Sequence, residues 1–592
     1  MTLWQSSVVV VDAKAALSLV AACSTYHILL SSSTKHPRSV TVYASMRFLL
    51  LVCTALTALP AAQIPLNNKD VIVCYGDSIT EQHLYSACIE GYVLTKYPDK
   101  QLTVWNFGWG GDTAFGGGRR YARDVQPVQP QVVFVAFGMN DGGYRAPDDA
   151  VKASYLANQR RLVETIRAGE ALPVLLTSTP IDPDHRDAKD VYNSTLEGLA
   201  NGLIALGTEM KVPVIDQFHP VLTALNTGKK WNKDFTFMYD SVHPNTAGQV
   251  VMAYNVIKQL PDPAPAGSVT IVGITATGSG ASAANVLREP TGVSFFMTLT
   301  RIPLWVPKDA RIALSLVPFQ QECNGLYLKV DGLDAQANYR IDVDGAAAGN
   351  ISGAEASAGV DIALMDGAPW TRQAHVIWDL GQIRWRRHQD VWRQLDLMES
   401  PEALAMPEME KLKSATRAVV DALWEQMRVA AKPHTYRVAL RKANPVVITK
   451  VFVSPVYPMT RDFSATFAPE TGAPVAWTPA TMTPEGDLDL NEILKKPLNC
   501  AAYVKVVFSA DRSTVLNLSM GSDDGLIVIV SGQRLLSKDV YRGVNPGEEQ
   551  LDVPLVAGRN EILFRVNNGA GGYGLNLRAS TLGAARVTAS ER

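Results

Sequence analysis

The first clear pattern in the chain is an alternation of short apolar runs with longer amphipathic stretches over residues 70–260. The apolar runs are rich in β-branched side chains and nearly continuous, which is typical of strands that are covered on both faces. This alternation predicts a parallel sheet with helices on both sides, where ligands bind beyond the carboxyl ends of the strands. The predicted strands cover residues 71–75, 102–107, 131–138, 172–179 and 212–216, and the predicted helices residues 81–97, 148–169, 188–211 and 246–260.

Three alternate prolines at positions 261, 263 and 265 end this region, because proline continues neither a helix nor a central strand. The pattern then changes to short strands with turn residues, a helical pair, and finally many strands separated by Gly, Asp and Asn. It predicts an α/β domain at 64–262, a β-rich region at 268–443 that includes the helical pair 372–432, and an all-β sandwich at 444–592.

Three tryptophans recur every seven residues in the first helix of the pair, at Trp378, Trp385 and Trp392. This spacing places them on one face of the helix. The rings either form a platform that stacks on sugars or pack as a seam against the second helix or a neighbouring domain. A packed seam is the preferred interpretation, because aromatic side chains at helical spacing are usually core.

The segment before residue 64 has the layout of an export signal. Met46-Arg47 precedes about a dozen apolar positions and then small residues, a run too short for the ~20 residues of a membrane span. Residues 1–63 are therefore interpreted as an upstream extension plus a signal peptide, with Met46 as the true start and cleavage near Ala61 or Ala62. The alternative is that the long form is real. Either interpretation predicts a secreted or periplasmic protein without a stable membrane span.

Charge and cysteine content exclude several classes of function. The chain has 55 Lys and Arg against 57 Asp and Glu, a net charge of −2, so no basic field attracts nucleic acid. Its six cysteines include no C-x-x-C pair and are too few for a disulfide framework. We expect no cofactor and no metal. The Gly116–Gly118 run lacks the Lys-Ser/Thr of a phosphate loop and is predicted to be a flexible turn.

Four motifs of polar and glycine residues lie at strand ends or in a late loop of the α/β region. In the first, Gly-Asp-Ser places Ser78 directly after a strand, where the N–H groups of the next helix would stabilise negative charge. A serine hydroxyl becomes a good nucleophile when a histidine takes its proton, and the histidine needs a carboxylate to orient it. The other motifs are Asn106–Thr113, Gly138-Met139-Asn140-Asp141 and Asp240-Ser241-Val242-His243-Pro244.

Together and in this order, the four motifs resemble the SGNH (GDSL-type) esterase and lipase superfamily over about residues 68–260. The resemblance implies a three-layer α/β/α, flavodoxin-like hydrolase domain and a serine hydrolase that acts on ester bonds. It also implies the functional residues: catalytic Ser78, Asp240 and His243, with the backbone N–H groups of Ser78 and Gly111 and the side-chain amide of Asn140 as the oxyanion hole.

A second Asp-x-x-His-Pro sequence, from Asp216 to Pro220, competes for the role of base and carboxylate. The pair Asp240 and His243 is preferred, because the family's motif lies in the last loop before a C-terminal helix. The alternative makes His219 the base.

The C-terminal region looks like the galactose-binding-like or PA14-like sandwiches found beside exported polysaccharide enzymes. Its Asp523-Asp524-Gly525 sequence is interpreted as a hairpin turn in preference to a sugar or calcium site.

The leading hypothesis from the sequence is an exported serine esterase that forms an acyl-enzyme on Ser78. We expect it to hydrolyse carboxylic esters, namely acetyl esters on carbohydrate. The substrate would be a small ester or an acylated polysaccharide. One alternative is a lipase or lysophospholipase, which would need an apolar cleft or a lid such as the helical pair. Another is a non-catalytic glycan-binding surface protein, against which the intact set of site residues argues.

Overall fold

The computed structural model describes residues 64–183, 191–397, 402, 405–459, 463–569, 571–582 and 585–590. The predicted signal peptide and the start at Met46 lie outside the described residues. Among the residues that are described, no helix is both long and apolar enough to cross a membrane.

Five parallel strands form the first sheet of the protein. They are β1 (Val71–Gly76), β2 (Thr103–Gly108), β3 (Val132–Ala136), β4 (Leu172–Leu176) and β5 (Val214–Ile215). Their spatial order is β2-β1-β3-β4-β5, with every neighbouring pair parallel. This is the order of flavodoxin-like doubly wound sheets, and it confirms the predicted three-layer α/β/α class.

Helices cover both faces of this sheet because side chains alternate between the faces along each strand. Ile72 and Cys74 point into one buried cluster and Val73 and Tyr75 into another. The helices are α1 (Ser78–Glu81), α2 (Tyr85–Lys96), α3 (Ala114–Asp124), α4 (Asp149–Ala168), α5 (Val191–Met210), α6 (Phe218–Trp231) and α7 (Thr246–Ile257). The first cluster contains side chains of α2, α6 and α7, the second contains those of α3 and α4, and α5 contributes to both.

The expectation of a flexible turn at Gly116–Gly118 is wrong, because all three glycines lie inside α3. The hydroxyl of Thr113 caps this helix by accepting a hydrogen bond from Gly116 N at 3.3 Å. Gly117 packs on Phe137 so closely that an added Cβ would lie 2.5 Å from the ring. The glycines therefore allow the helix to approach the sheet, and this packing outweighs their low helix propensity.

Residues after the α/β region form mostly antiparallel sheets, consistent with the predicted β-rich region and sandwich. The strands are β6 (Gly267–Val272), β7 (Thr275–Ser279), β8 (Ala281–Glu289), β9 (Gly292–Leu299), β10 (Leu326–Val330), β11 (Asn338–Val343), β12 (Ala346–Ser352), β13 (Val360–Asp361), β14 (Thr435–Val446), β15 (Lys450–Val453), β16 (Tyr457–Pro458), β17 (Thr478–Thr481), β18 (Asp487–Asp489), β19 (Cys500–Ala510), β20 (Thr514–Ser522), β21 (Leu526–Val530), β22 (Gln533–Lys538), β23 (Glu549–Leu555), β24 (Gly558–Asn568), β25 (Gly574–Leu582) and β26 (Val587–Ser590). Short helices α8 (Gly353–Ala358), α11 (Ala468–Thr471) and α12 (Leu490–Leu494) lie among them.

Strand β14 runs through the predicted domain boundary between residues 443 and 444. Its first part pairs with β9 and β11, and its last four residues pair with β25 of the sandwich. One sheet thus continues from the β-rich region into the C-terminal region.

The helical pair consists of α9 (Pro369–Gln389), a wider π-type turn at Asp390–Asp396, and α10 (Pro407–Ala430). We call these residues, 369–430, the helical hairpin. Two of the three tryptophans pack against the α/β region: Trp392 meets Phe107 edge-on at 5.0 Å between ring centroids, and Trp385 stacks on His83 at 5.3 Å. The third, Trp378, meets Trp305 of the β-rich region edge-on at 5.6 Å. This packing confirms the seam as the preferred interpretation of the seven-residue spacing.

The helical hairpin also supplies hydrogen-bond donors to β2, which is the edge strand of the parallel sheet. An edge strand exposes alternate carbonyl groups that no neighbouring strand can pair. Here side chains of the hairpin bind four such carbonyls in and beside β2. The bonds are Arg428 to Lys100 O at 3.4 Å, Trp424 to Leu102 O at 3.2 Å, Arg384 to Val104 O at 2.8 Å and Arg393 to Gly108 O at 2.6 Å.

Candidate active site

Ser78 begins α1 immediately after the carboxyl end of β1. Asp77 caps this helix, because its side chain accepts a hydrogen bond from Ile79 N at 3.0 Å. At Gly76 an added Cβ would lie 2.5 Å from the carbonyl oxygen of Ala136 on β3 and still closer to Thr80. Only glycine fits this tight exit from the strand, which places a partly exposed Ser78 at the edge of the sheet where ligands bind.

The imidazole that faces Ser78 belongs to His243, in the loop before α7. His243 Nε2 lies 2.9 Å from Ser78 Oγ, and His243 Nδ1 lies 2.8 Å from Asp240 Oδ2. The other carboxylate oxygen of Asp240 accepts hydrogen bonds from the backbone N–H groups of Val242 and His243. Burial opposes the charged form of Asp240, but these hydrogen bonds and that from the imidazole outweigh it and lower the pKa of the carboxyl group. The carboxylate therefore stays charged and orients the ring.

The competing sequence builds the same local geometry in a different place. His219 Nδ1 lies 2.7 Å from Asp216 Oδ2, and the N–H of His219 also bonds to that carboxylate. The other ring nitrogen of His219 faces Glu197 Oε1 at 3.6 Å. His219 lies in α6, a helix that the sequence pattern did not predict. Its imidazole is not the one that is paired with Ser78.

Asn140 and Gly111 lie in the loops that follow β3 and β2. The amide of Asn140 donates to Asp112 O at 2.9 Å, and its carbonyl accepts a hydrogen bond from the Tyr144 hydroxyl at 3.0 Å. These two bonds determine the positions of the amide nitrogen and oxygen of Asn140, and they leave the second N–H of the amide free to bind a ligand. Gly111 is exposed and has a φ of 73°, in the left-handed region that favours glycine. An added Cβ there would meet nothing within 4 Å, so this backbone borders open space.

Two further carboxyl groups lie beneath the site. Burial, together with the charge of Asp112, raises the pKa of Asp77 and of Asp141 to about 7. Asp141 accepts a hydrogen bond from Ala114 N at 3.0 Å, which ties the loop after β3 to the start of α3. Arg120 binds Asp112 at 2.7 Å and donates to the carbonyls of Gly76 and Phe107. The strand ends around Ser78 are therefore connected by buried charge and hydrogen bonds.

The raised pKa of Asp141 predicts a stability change with pH. A folded-state pKa above the unfolded value means that the folded protein binds more protons, so stability falls as pH rises from about 4 to 7. Asp141→Asn keeps an acceptor for Ala114 N but cannot ionise, so its melting temperature should depend less on pH in this window. Thermal melts from pH 4 to 8 check this, with the exposed Asp234→Asn as a control. An unchanged pH dependence in Asp141→Asn would contradict the prediction.

Sequence reasoning missed three residues that support the site. Tyr144 follows Asn140 by four positions and orients its amide. Gln249 is fully buried and joins two segments: it accepts from Tyr85 N at 2.9 Å, just after α1, and donates to Pro244 O at 3.3 Å, next to His243. Gln249 lies near the start of α7, shortly after the Asp240–Pro244 motif, and this position in the sequence could have indicated a role at the site. The third, Arg393, comes from the helical hairpin.

The Asp523-Asp524-Gly525 sequence lies between β20 and β21 in the C-terminal region. Within the described residues, no group of three or more His, Cys, Asp or Glu is arranged to hold a metal ion. Both carboxylate oxygens of Asp524 bind backbone N–H groups, from Arg542 at 2.9 Å and Gly569 at 2.7 Å. Asp524 thus acts as a turn residue, but the expectation of a hairpin is wrong, because the strands that this turn joins, β20 and β21, lie in different sheets.

A flavodoxin-like sheet with a Ser-His-Asp arrangement at the carboxyl ends of its strands defines the serine-hydrolase class of site. Comparison with protein families assigns the α/β region more narrowly. Residues 74–251 match the model of the GDSL-like Lipase/Acylhydrolase family. The chain therefore carries a GDSL-type lipase/acylhydrolase domain and is an ester-hydrolysing enzyme.

Several solved structures are similar to this chain. A gut microbial diltiazem-metabolizing enzyme matches at 22% identity with a TM-score of 0.57, over 65% of this chain and 100% of its own. Axe2, an acetylxylan esterase from Geobacillus stearothermophilus, matches at 19% identity with a TM-score of 0.29, over 33% of this chain and 97% of its own. The lipase/acylhydrolase from Enterococcus faecalis matches at 21% identity and 0.27, over 32% and 93%. Among curated proteins, none matches the chain.

Proposed function

We propose that this protein is an exported serine esterase that removes acetyl groups from carbohydrate through an acyl-enzyme on Ser78. The observation that carries the reaction is the continuous hydrogen-bonded series from Ser78 Oγ to His243 at 2.9 Å and on to Asp240 at 2.8 Å. This geometry gives the serine a base within proton-transfer distance and gives the base a carboxylate that fixes its tautomer.

The reaction proceeds in two halves. Ser78 Oγ attacks the ester carbonyl carbon while His243 Nε2 takes the serine proton, and collapse of the tetrahedral intermediate expels the alcohol, which receives that proton. A water molecule then attacks the acetyl-enzyme, again losing a proton to His243. Acetate leaves, and the proton returns to Ser78 Oγ. In each half the backbone N–H groups of Ser78 and Gly111 and the amide of Asn140 would bind the oxyanion.

The site's openness supports a bulky substrate. The side chains of His243 and Asp240 are 31% and 33% exposed, and Gly111 is exposed as well. A polymer can present a short acetyl group to such a site without being enclosed. The helical hairpin does not act as a lipase lid, because the buried ion pair between Arg384 and Glu90, at 2.7 Å, fastens it to α2.

Exposed aromatic rings near the site support a carbohydrate. Phe115, Tyr144 and Tyr239 are each more than half exposed, and each lies within four residues of Gly111, Asn140 or Asp240. Charges of Asp77 and Asp240 contribute, after burial, to a raised pKa of Tyr144, so its hydroxyl lies within their electrostatic reach. Aromatic faces suit the apolar faces of sugar rings, and the hydroxyls of Tyr144 and Tyr239 add a polar group at the ring edge.

Acyl-chain preference and substrate size test this proposal. The wild type should hydrolyse p-nitrophenyl acetate faster than the octanoate, and it should release acetate from acetylated xylan. Ser78→Ala should do neither. Faster hydrolysis of the octanoate would support a lipase-type acylhydrolase, and release of acetate by Ser78→Ala would contradict the acyl-enzyme.

Asn140→Ala should lower kcat for p-nitrophenyl acetate by about 10²- to 10³-fold, because losing one oxyanion donor costs about 3–4 kcal/mol in the transition state. KM should change little, since the ground-state ester uses this donor weakly. Tyr144→Phe removes only the hydroxyl that orients the amide, so it should cause a smaller loss of kcat. Steady-state kinetics of the two variants check both effects. An Asn140→Ala variant with wild-type kcat would show that Asn140 is not an oxyanion donor.

Export predicts a shortened chain. When the full-length gene is expressed in a secreting host, the mature protein should begin near Gln63, because the signal-like segment ends there. Intact-mass analysis of the exported protein measures this. Recovery of a chain that still carries residues 1–45 would contradict both the start at Met46 and cleavage.

A further inference from the structure

One guanidinium group of the helical hairpin contacts both backbone segments that supply oxyanion donors. Arg393 lies in the wider turn that follows α9, outside residues 74–251 of the family match. Its Nη2 donates to Gly108 O at 2.6 Å, and its Nη1 forms an ion pair with Glu81. The guanidinium carbon lies 4.5 Å from the ring centroid of Trp109.

The two contacted segments touch each other as well. Glu81 is the last residue of α1, which begins at Ser78, and its N–H bonds to Asp77 O at 3.0 Å. An added Cβ on Gly108 would lie 2.2 Å from Glu81 N, and one on Gly110 would lie 2.8 Å from Glu81 Oε2. The loop after β2 is therefore packed directly on the nucleophile helix, with the Glu81 carboxylate against the residue before Gly111.

Charge and shape make an arginine well suited to this place. The side chains of Arg393 and Glu81 are 24% and 29% exposed, so water screens their attraction only in part. The planar guanidinium directs donors along fixed lines and can bind a carboxylate and a carbonyl at once while stacking on an indole. A lysine ammonium lacks this fixed geometry.

We propose that Arg393 is a positioning residue that sets the spacing between the backbone N–H groups of Ser78 and Gly111. The helical hairpin thereby completes the oxyanion hole of the α/β domain. This inference rests on the proposed serine-esterase function. Oxyanion donors act only when they lie about 2.7–3.1 Å from the developing charge, and a misplacement of about 1 Å can cost 10²-fold in rate.

Kinetics of Arg393→Ala test the positioning role. The variant should lose about 10- to 100-fold in kcat on p-nitrophenyl acetate, with KM within about threefold of the wild type, because the donors act in the transition state. Arg393→Lys should recover part of kcat, and added guanidinium ion should partly rescue Arg393→Ala. The matched control is Arg387→Ala, which removes an exposed arginine of α9 whose partner is Asp390.

Hydrogen exchange gives a readout that does not depend on activity. In Arg393→Ala, peptides covering residues 105–113 should exchange faster, while Arg387→Ala should leave them unchanged. Wild-type exchange, or wild-type kcat, in Arg393→Ala overturns the inference, as does a raised KM with unchanged kcat, which would indicate a substrate contact. If the wild type hydrolyses no ester, the proposed function fails, and the positioning role in catalysis fails with it even where exchange shows the contact.

Discussion

Replacing His243 with Ala is expected to lower kcat for an acetyl ester by about 10⁴- to 10⁶-fold, since a triad without its base retains only what the oxyanion hole and binding supply. The reason is geometric, because its Nε2 lies 2.9 Å from Ser78 Oγ. Steady-state kinetics on p-nitrophenyl acetate measure the loss, and a fluorophosphonate probe should label Ser78 far more slowly in the variant.

The chain provides a closely matched control for this experiment. His219 has the same Asp-x-x-His-Pro setting and an equivalent bond to Asp216, at 2.7 Å, so His219→Ala removes the same local contacts. Its kcat should stay within about threefold of the wild type, with any further loss following stability. A large kcat loss in His219→Ala and wild-type kcat in His243→Ala would reverse the assignment.

The second large effect is expected on stability, at the ion pair between Arg384 and Glu90. The two side chains are 5% and 2% exposed and lie 2.7 Å apart. Arg384→Met should cost about 3–5 kcal/mol of unfolding free energy, because it leaves the Glu90 carboxylate buried without its main partner. Urea unfolding of the wild type and the variant measures the cost.

A double variant separates the charge effect from lost packing. Arg384→Met combined with Glu90→Leu replaces the pair by apolar side chains of similar size, and it should recover most of the lost stability. If Arg384→Met alone unfolds like the wild type, the pair does not hold the helical hairpin to α2. If the double variant is no more stable than the single one, the loss comes from packing or from the bond to Val104 O.

The α/β fold was predictable because its signals are local. Strands such as β1 and β3 are continuous apolar runs, and glycine or polar residues mark their ends, so the parallel sheet and the crevice beyond its strands follow from the pattern. The order of the strands in the sheet does not follow from it, because that order depends on contacts distant in sequence. The motif around Ser78 could be placed at a strand end for the same reason. The helix α3 was not predicted, because its glycines have low helix propensity. They are needed there because Gly117 packs directly on Phe137.

The candidate site was predictable only in part. Asp216 with His219 and Asp240 with His243 form nearly identical local structures, so the residues alone cannot show which imidazole meets Ser78. That choice depends on contacts between residues 165 positions apart. Arg393 is a stronger case, because its partner Gly108 lies 285 positions away and no spacing rule connects a helical turn to that loop.

The bonds between the helical hairpin and β2 have a consequence for the order in which the chain folds. Arg384 and Trp424 lie 280 and 322 positions after the carbonyls they bind. At about 5–20 residues per second, a ribosome needs roughly 15–60 s to make the intervening chain. During that time the edge of the sheet is without its cover and is open to pairing with another nascent chain. Slower synthesis or truncation before residue 384 should therefore favour aggregation more than in an α/β protein whose edge strand is covered by its own nearest helices.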